Sequence, residues 1–472
     1  MKEFDKFLDG IVNNIIWGWP LIILILVMSL YFGFKTKFCY LRYFFKSSKY
    51  MFEKNEDKTK VSPFQAISLI IANQAGTGNI IGVAAAIFLG GPGAIFWMWI
   101  TALVGSSLSF AENTLAQMYK SEINQEYRGG PSYYILKGLK SPKMAIIVSF
   151  ILLLCLGLLM PTIQSATISN ALEQNLSIPK IITALLIGFN LIIIIIGENK
   201  KIVTSASLIV PFMTILFFGS TLTVLFFNLD KVNDVFYLIF NNAFNQNAVF
   251  GAIIGEALSH GVRRGLFTHE AGLGSTPNTA ASGNVRHPVH QGLTSSFCVF
   301  LDILMCTLTA FVIIATNSYN VVTSSGDFLH VGLNGVNYEQ FAQHALSSVF
   351  PNTGSLLVSI SILLFGFMAI VGAFYNGQTN LYFIFKDEKK RKRTMKIYKV
   401  TFIFTMAICC LYETTTAWKL TDIAVGVAAL INLIVLFLLR NDVFTCLKDY
   451  EENIKDDKNR KYINEKLECW KK

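Results

Sequence analysis

Apolar residues fall along the chain in long unbroken runs, not in alternation with polar ones. A run of about 20 apolar residues is what a helix needs to cross the hydrocarbon core of a bilayer. Eleven such segments are predicted, near 13–34, 64–89, 93–118, 143–169, 178–197, 201–228, 248–268, 289–316, 353–385, 396–413 and 418–440. The stretch before the first, MKEFDKFLDG, is mixed in charge and no A-x-A site follows, so a retained helix is expected there and not a cleaved leader. Residues 317–352 read as the longest outer loop, with a helix-like stretch YEQFAQHALSSVF. The connection 119–142 carries RGGPSYYILKGL, and the charged tail 441–472 reads as helical or loose, with no function assigned.

Two of the eleven spans are interrupted. The second contains NQAGTGNIIGVAAAIFLGGPG, and the seventh reads AVFGAIIGEALSHGVRRGLFTHEAGLGS, with glycines at 251, 255, 261, 265, 272 and 274. Glycine weakens a helix by roughly 1 kcal/mol against alanine. An unpaired backbone group in lipid costs several kcal/mol, so a break persists only where it lines a cavity or binds something. Two breaks five helices apart are the sequence mark of an inverted-repeat transporter. Setting the first helix aside leaves ten, in two sets of five with opposite orientation. The expected fold is an all-α polytopic membrane protein with the five-plus-five inverted repeat of the leucine-transporter-like class and one extra N-terminal helix. Its expected parts are the extra helix and connection (1–61), the first repeat (62–230), the second repeat (231–440) and a cytoplasmic tail (441–472).

Composition sharpens this picture. Of 472 residues, 53% are hydrophobic and 15% charged, too few polar groups to clothe a soluble protein of this size. Of the 40 Lys and Arg residues, 35 fall on one side of the predicted spans. The positive-inside rule makes that side cytoplasmic, with the N-terminus outside and the C-terminus inside. The net charge of +10 therefore records topology, and no nucleic-acid partner is needed to explain it. Eight cysteines show no C-x-x-C pair and read as small packing residues. No G-x-x-x-x-G-K-[ST] nucleotide loop and no H-E-x-x-H metal motif occurs.

At AGTGNIIGVAAAIFLGGPGAIFWMW (75–99), GGPSYYILKGL (129–139), VPFM (210–213), RRGLFTHEAGLGS (263–275), HPVHQGL (287–293) and CVFLDILMCTLTA (298–310) the chain resembles the alanine/glycine:cation symporter family, as a divergent member. The resemblance implies cation-driven uptake of small neutral amino acids by a plasma-membrane monomer that needs no cofactor beyond a co-transported sodium ion or proton. It implies that Thr77, Gly78 and Asn79 hold the substrate carboxylate and that Gln164 contacts the amino acid. It implies that the turn around Gly265, Phe267 and Thr268 forms the second break. A sodium ion is implied between carbonyls near Ala72 and Ala75 and the ninth span.

The departures from the family pattern carry information. Met368, Ala369 and Ala373 stand where the family has a Ser-Thr pair and a Trp, and Thr167 stands where it has a Phe. Met and Ala offer no side-chain oxygen to a hard cation. The substitutions at 167 and 373 open the pocket, so a larger polar substrate such as glutamine is expected alongside alanine. His269 replaces an Asn, and Glu256 and His260 share one helix face at i, i+4. An ionisable group in a span is a functional candidate, because a lone charge there costs at least ~2.5 kcal/mol. Glu256, with His260 and His269, is thus a candidate for proton coupling, or a group paired with Arg263 and Arg264. The remaining alternatives are an uncoupled amino-acid transporter using Glu256, a non-transporting receptor on this fold, and an intramembrane metal enzyme using Glu256, His260, His269 and Glu270.

Overall fold

A computed structural model describes residues 10, 12, 16–55, 57, 59–196, 199–244, 251–323, 325–454 and 461–471. The predicted starts of the first and seventh spans, at 13 and 248, lie outside the described residues. The first span runs as α1 (Trp19–Lys35). The second is split into α2 (Pro63–Gln74), a short 3-10 turn (Thr77–Asn79) and α3 (Ile81–Gly90). Ser62 and Gln65 close a capping box at the start of α2, which fixes where that helix begins.

The long apolar runs form α4 (Gly93–Met118), a continuous helical stretch Pro142–Leu176, α5 (Lys180–Ile195) and α6 (Asn199–Phe226). In the second half lie α7 (Gly251–His269), α8 (Thr276–Ala280), α9 (Pro288–Ala315), α10 (Gly354–Ile384), α11 (Glu388–Cys409) and α12 (Thr414–Leu438). Outward-facing side chains on α5, α6 and α11 are large and apolar, among them Leu185, Phe189, Ile215 and Phe404, each more than 60% exposed. In water such a belt would be costly, whereas in a bilayer it faces its own kind. The middle of α4, α9 and α10 is enclosed by the other helices.

Several expectations are corrected. A further helix, Val232–Phe244, joins the two halves; its mixed Asn, Asp and aromatic sequence hides it from a hydropathy reading. Arg263 and Arg264, within the seventh span, are both buried on α7, upstream of its break. The connection after α4 folds as a hairpin, β1 (Ser121–Ile123) with β2 (Glu126–Arg128). The tail forms a helix, Arg440–Glu452, and residues 461–471 pack on the body with Trp470 buried, so that end is not loose.

Glycines in α7 do two different jobs. A methyl built on Gly261 would sit 2.6 Å from the Ala94 carbonyl oxygen, and one on Gly265 would meet Thr101 at 3.4 Å. These two let α7 lie directly on α4, as small residues do in membrane interfaces. Gly261→Ala is expected to destabilise by about 1–3 kcal/mol through overpacking. Gly255→Ala, whose nearest neighbour is Trp19 at 3.9 Å, is expected to be neutral or stabilising. Thermal unfolding of the two variants in detergent checks the contrast.

Candidate functional site

At the first break the Gly76 N–H turns to the Gln74 carbonyl and the Thr77 N–H donates to Gln164 Oε1 at 2.8 Å. The amides that a continuing helix would send to the carbonyls of Ala72 and Asn73 are thereby used elsewhere. Both carbonyls are left for another partner. Gln164 lies flat against Gly76, where a built methyl would meet its amide nitrogen at 2.8 Å. Asn79 Nδ2 donates to Asp302 Oδ1 on α9 at 2.5 Å, and Thr309 Oγ1 donates to the Asn79 carbonyl at 2.8 Å. The buried Thr77 Oγ1, Asn79 Oδ1 and Thr167 Oγ1 have no hydrogen-bond partner among the described residues.

The second break lies later than expected. Gly265, Phe267 and Thr268 are still helical, and Thr268 Oγ1 bonds back to the Gly265 carbonyl at 2.9 Å. Unwinding begins at Glu270, where φ turns positive (52°), and continues through Gly272 (84°) and Gly274 (78°). Only the latter two glycines adopt the left-handed backbone that ends a helix without strain. Gly265 packs on α4 and so does not face the first break. Phe267 and Thr268 do face it: a methyl on Gly78 would meet the Phe267 ring at 2.7 Å and Thr268 Cγ2 at 3.1 Å.

Freed amides of the second break are held by Glu112 on α4. Its carboxylate accepts from Gly272 N and Gly274 N at 3.0 Å each, from Thr276 Oγ1 at 3.1 Å and from Asn432 Nδ2 at 2.7 Å. Four donors around one buried carboxylate replace the water it has lost. The two breaks are also joined to each other. Asn73 donates to Glu270 Oε2 at 2.5 Å, Ser275 donates to the same oxygen at 2.6 Å, and Gln74 donates to the His269 carbonyl at 2.7 Å. Asn376 on α10 adds a donor to Asn73 Oδ1 at 3.2 Å, and Gly372 leaves room for Asn73.

The remaining predicted residues take varied positions. Ala72, Ala75, Met368, Ala369 and Ala373 are all buried, on α2, its cap and α10. His269 uses Nδ1 to accept the Ala271 amide at 3.1 Å, as a cap of the break, with its ring against Gly105. Glu256 is half-buried on α7, fourteen residues before Glu270, which is roughly 21 Å of helix at 1.5 Å per residue. It therefore sits far outside the break. Arg263 and Arg264 pair with Asp422 on α12, at 3.6 and 3.3 Å, instead of with Glu256. Sequence reading missed Asp422, whose only signal was a lone acid in an otherwise apolar span. No group of three or more potential metal ligands occurs among the described residues.

Above the first break the structure is closed in layers. Phe267 meets Trp418 edge-on at 4.9 Å, Arg264 lies 4.0 Å over the Trp418 ring, and Asp422 holds both arginines. Trp17 donates to the Asp422 carbonyl at 2.9 Å, and Arg263 lies 5.5 Å from the Trp17 ring.

Residues 1–464 match the sodium:alanine symporter family. The chain belongs to it. It is 37% identical to the probable sodium/glutamine symporter GlnT of Bacillus subtilis (strain 168), covering 100% of this chain and 97% of the relative. It is 31% identical to the sodium/alanine symporter AgcS of Methanococcus maripaludis, covering 94% and 97%. Among solved structures it is similar in fold to MhsT in complex with L-phenylalanine, with a TM-score of 0.56 at 14% identity over 81% of this chain and 89% of that one. The leucine-transporter-like fold follows, and the chain is a multi-pass membrane transporter for cation-coupled amino-acid uptake, not an enzyme.

Replacing Glu112 by Ala would leave two buried N–H groups unpaired, at about 1–3 kcal/mol each. Glu112→Ala is expected to lower thermal stability and abolish uptake, while Glu112→Gln, which keeps one acceptor, falls between it and the parent. Unfolding midpoints and initial uptake rates read the order.

Proposed function

We propose that this symporter takes up a neutral amino acid together with sodium at the first break, by alternating access in the plasma membrane. The observation that carries the reading is the Thr77 amide, a helix-terminal N–H held by the removable side-chain oxygen of Gln164. A substrate carboxylate is a stronger acceptor for such a group than a neutral amide oxygen. On arrival it takes over Thr77 and Gly78, and Gln164 turns to the amino acid. Asn79 and Thr268 border the same space, and Phe267 closes it from outside. The freed carbonyl of Ala72, with that of Ala75, offers sodium hard oxygens at the neighbouring turn. Met368 and Ala369 supply none from their side chains, so the ion rests on backbone. The chain acts as a monomer, N-terminus outside and C-terminus in the cytoplasm, in contact with lipid all round.

Substrate size is set at the bottom of the pocket. Thr167 and Ala373 are small, and the Thr167 hydroxyl is buried without a partner among the described residues. A side-chain amide reaching that far would satisfy it, which favours glutamine as a substrate beside alanine. The similarity to a probable sodium/glutamine symporter is in accord. Glu256 lies too far from the break to bind the coupling ion there, which speaks against proton coupling through it.

Uptake of labelled alanine into proteoliposomes, with sodium and proton gradients imposed separately and all amino acids as competitors, tests the reading. A sodium gradient is expected to drive uptake, a proton gradient alone is not, and glutamine is expected to compete. Gln164→Ala is expected to raise KM about tenfold, equivalent to ~1.4 kcal/mol of lost binding. Sodium-independent uptake would refute the coupling assignment.

A further inference from the structure

Residues 461–471 lie across the face where the hairpin, the start of α2 and the segment after α8 meet. Trp470 is 1% exposed and its Nε1 donates to the Gln117 carbonyl at 2.7 Å. Its ring lies 4.8 Å from the ammonium of Lys120, which also sits 3.9 Å from the Tyr127 ring of β2. Lys120 Nζ in turn donates to the Gly283 carbonyl at 3.2 Å. Gly283 is bridged to Val61, and Asn284 N donates to the Val61 carbonyl at 2.9 Å. Val61 directly precedes Ser62, the cap of α2. A chain of contacts thus leads from the tail to the inner end of the broken helix.

The rest of the segment is fastened to the neighbouring elements. The Tyr462 amide donates to the Arg286 carbonyl at 2.9 Å, and its ring lies 4.7 Å from His287. Glu468 pairs with Lys137 at 2.7 Å and accepts from Ser121 Oγ at 3.1 Å. Beside these contacts lies a cavity of about 280 Å³, bordered by Lys60, Val61, Glu126, Tyr127, Ser282 and Tyr375. Arg128, next to Tyr127, is fully buried, lies 4.4 Å from the Tyr375 ring and donates to Thr379 Oγ1 at 2.9 Å.

The eleven-residue strap joins elements that are far apart in the sequence. What the strap does is connect parts that must separate. In alternating access one half of the core rocks against the other, and the inner half-helix α2 must leave its neighbours for the path to open inward. The Val61–Gly283 clip opposes that movement, Lys120 braces the clip, and Trp470 braces Lys120. A buried aromatic with a satisfied N–H is an anchor of the kind that dominates docking energetics.

We propose that the segment 461–471 is a latch on the inner gate, with Trp470 as its bolt, so that inward release requires Trp470 to leave its slot. The latch rests on the alternating-access reading, but its signature does not depend on which amino acid or ion is carried.

The test measures access to the inner cavity without substrate. Ser282→Cys, at the cavity wall and 1% exposed, serves as reporter, the labelling of the same protein with Ser282 retained being subtracted to remove any signal from Cys469; the other seven cysteines are buried. Full-length protein in liposomes is treated with a membrane-impermeant maleimide presented to the inner face. Deletion of residues 461–472 is expected to speed labelling at least fivefold, and Trp470→Phe, which fills the slot but lacks the N–H, at least twofold. Adding a synthetic peptide of residues 461–472 to the truncated protein is expected to slow labelling again. Labelling at the parent rate in the Trp470→Phe protein and in the truncated protein overturns the latch. If truncated protein is not recovered, the parent rate in Trp470→Phe alone overturns it. Failure of every variant, parent included, to take up amino acids would count against the transport assignment while leaving the labelling comparison intact.

Discussion

A helix that stops inside a bilayer leaves amides and carbonyls with no water to bind, and the arrangement of this protein follows from how that debt is met. At the second break the amides of Gly272 and Gly274 are taken by Glu112, a carboxylate carried on a different helix. Asn432 supplies a second brace by bonding both Glu112 and the Gly272 carbonyl. That break is therefore closed upon itself by fixed protein groups. At the first break the corresponding amide, on Thr77, is held by a single neutral side chain. The carbonyls of Ala72 and Asn73 are relinquished by the helix ladder. Of two similar interruptions, one is held by charged and neutral groups together and the other by a single neutral side chain.

The closure above the first break obeys the same constraint with charges. Two adjacent arginines inside a membrane would repel each other and lie unsolvated, and Asp422 between them lowers that cost. The flat faces of Trp17 and Trp418 cover the guanidinium groups while the Trp17 N–H ties down the Asp422 backbone. Trp17 belongs to the stretch leading into the extra N-terminal helix, so that helix is not a bystander to the transport core. Phe267 then carries the closure from this charged layer down to Gly78.

Much of this was written plainly in the sequence. A Gly-Thr-Gly-Asn run in an apolar span has few uses other than a break, and the structure unwinds there. The second break was harder, since Gly261, Gly265, Gly272 and Gly274 look alike as letters. Only backbone geometry separates the first two, which let α7 touch α4, from the last two, which have positive φ. Charge pairing was illegible for a related reason. Sequence proximity suggested Glu256 for Arg263 and Arg264, but their partner lies on α12, more than 150 positions away. A lone Asp in a span signals only that a partner exists. The tail resisted reading because its burial rests on Tyr462, Leu467 and Trp470 meeting segments far away in the sequence.

The cross-links between the two breaks explain how one ligand can influence another without direct contact. Asn73 and Gln74, the last residues of α2, reach Glu270 and the His269 carbonyl, where α7 stops. Neither half-helix can move alone without stranding a buried polar group, at a cost of about 1–3 kcal/mol for each bond left unmade. Binding that fixes the turn at Thr77 therefore also fixes the position of Glu270, and through Ser275 the start of α8. The same bonds run in reverse: whatever orders the second break also orders the first. This is the reciprocity that coupled binding requires, and the bonds that would carry it here are those of Asn73, Gln74, Glu270 and Ser275.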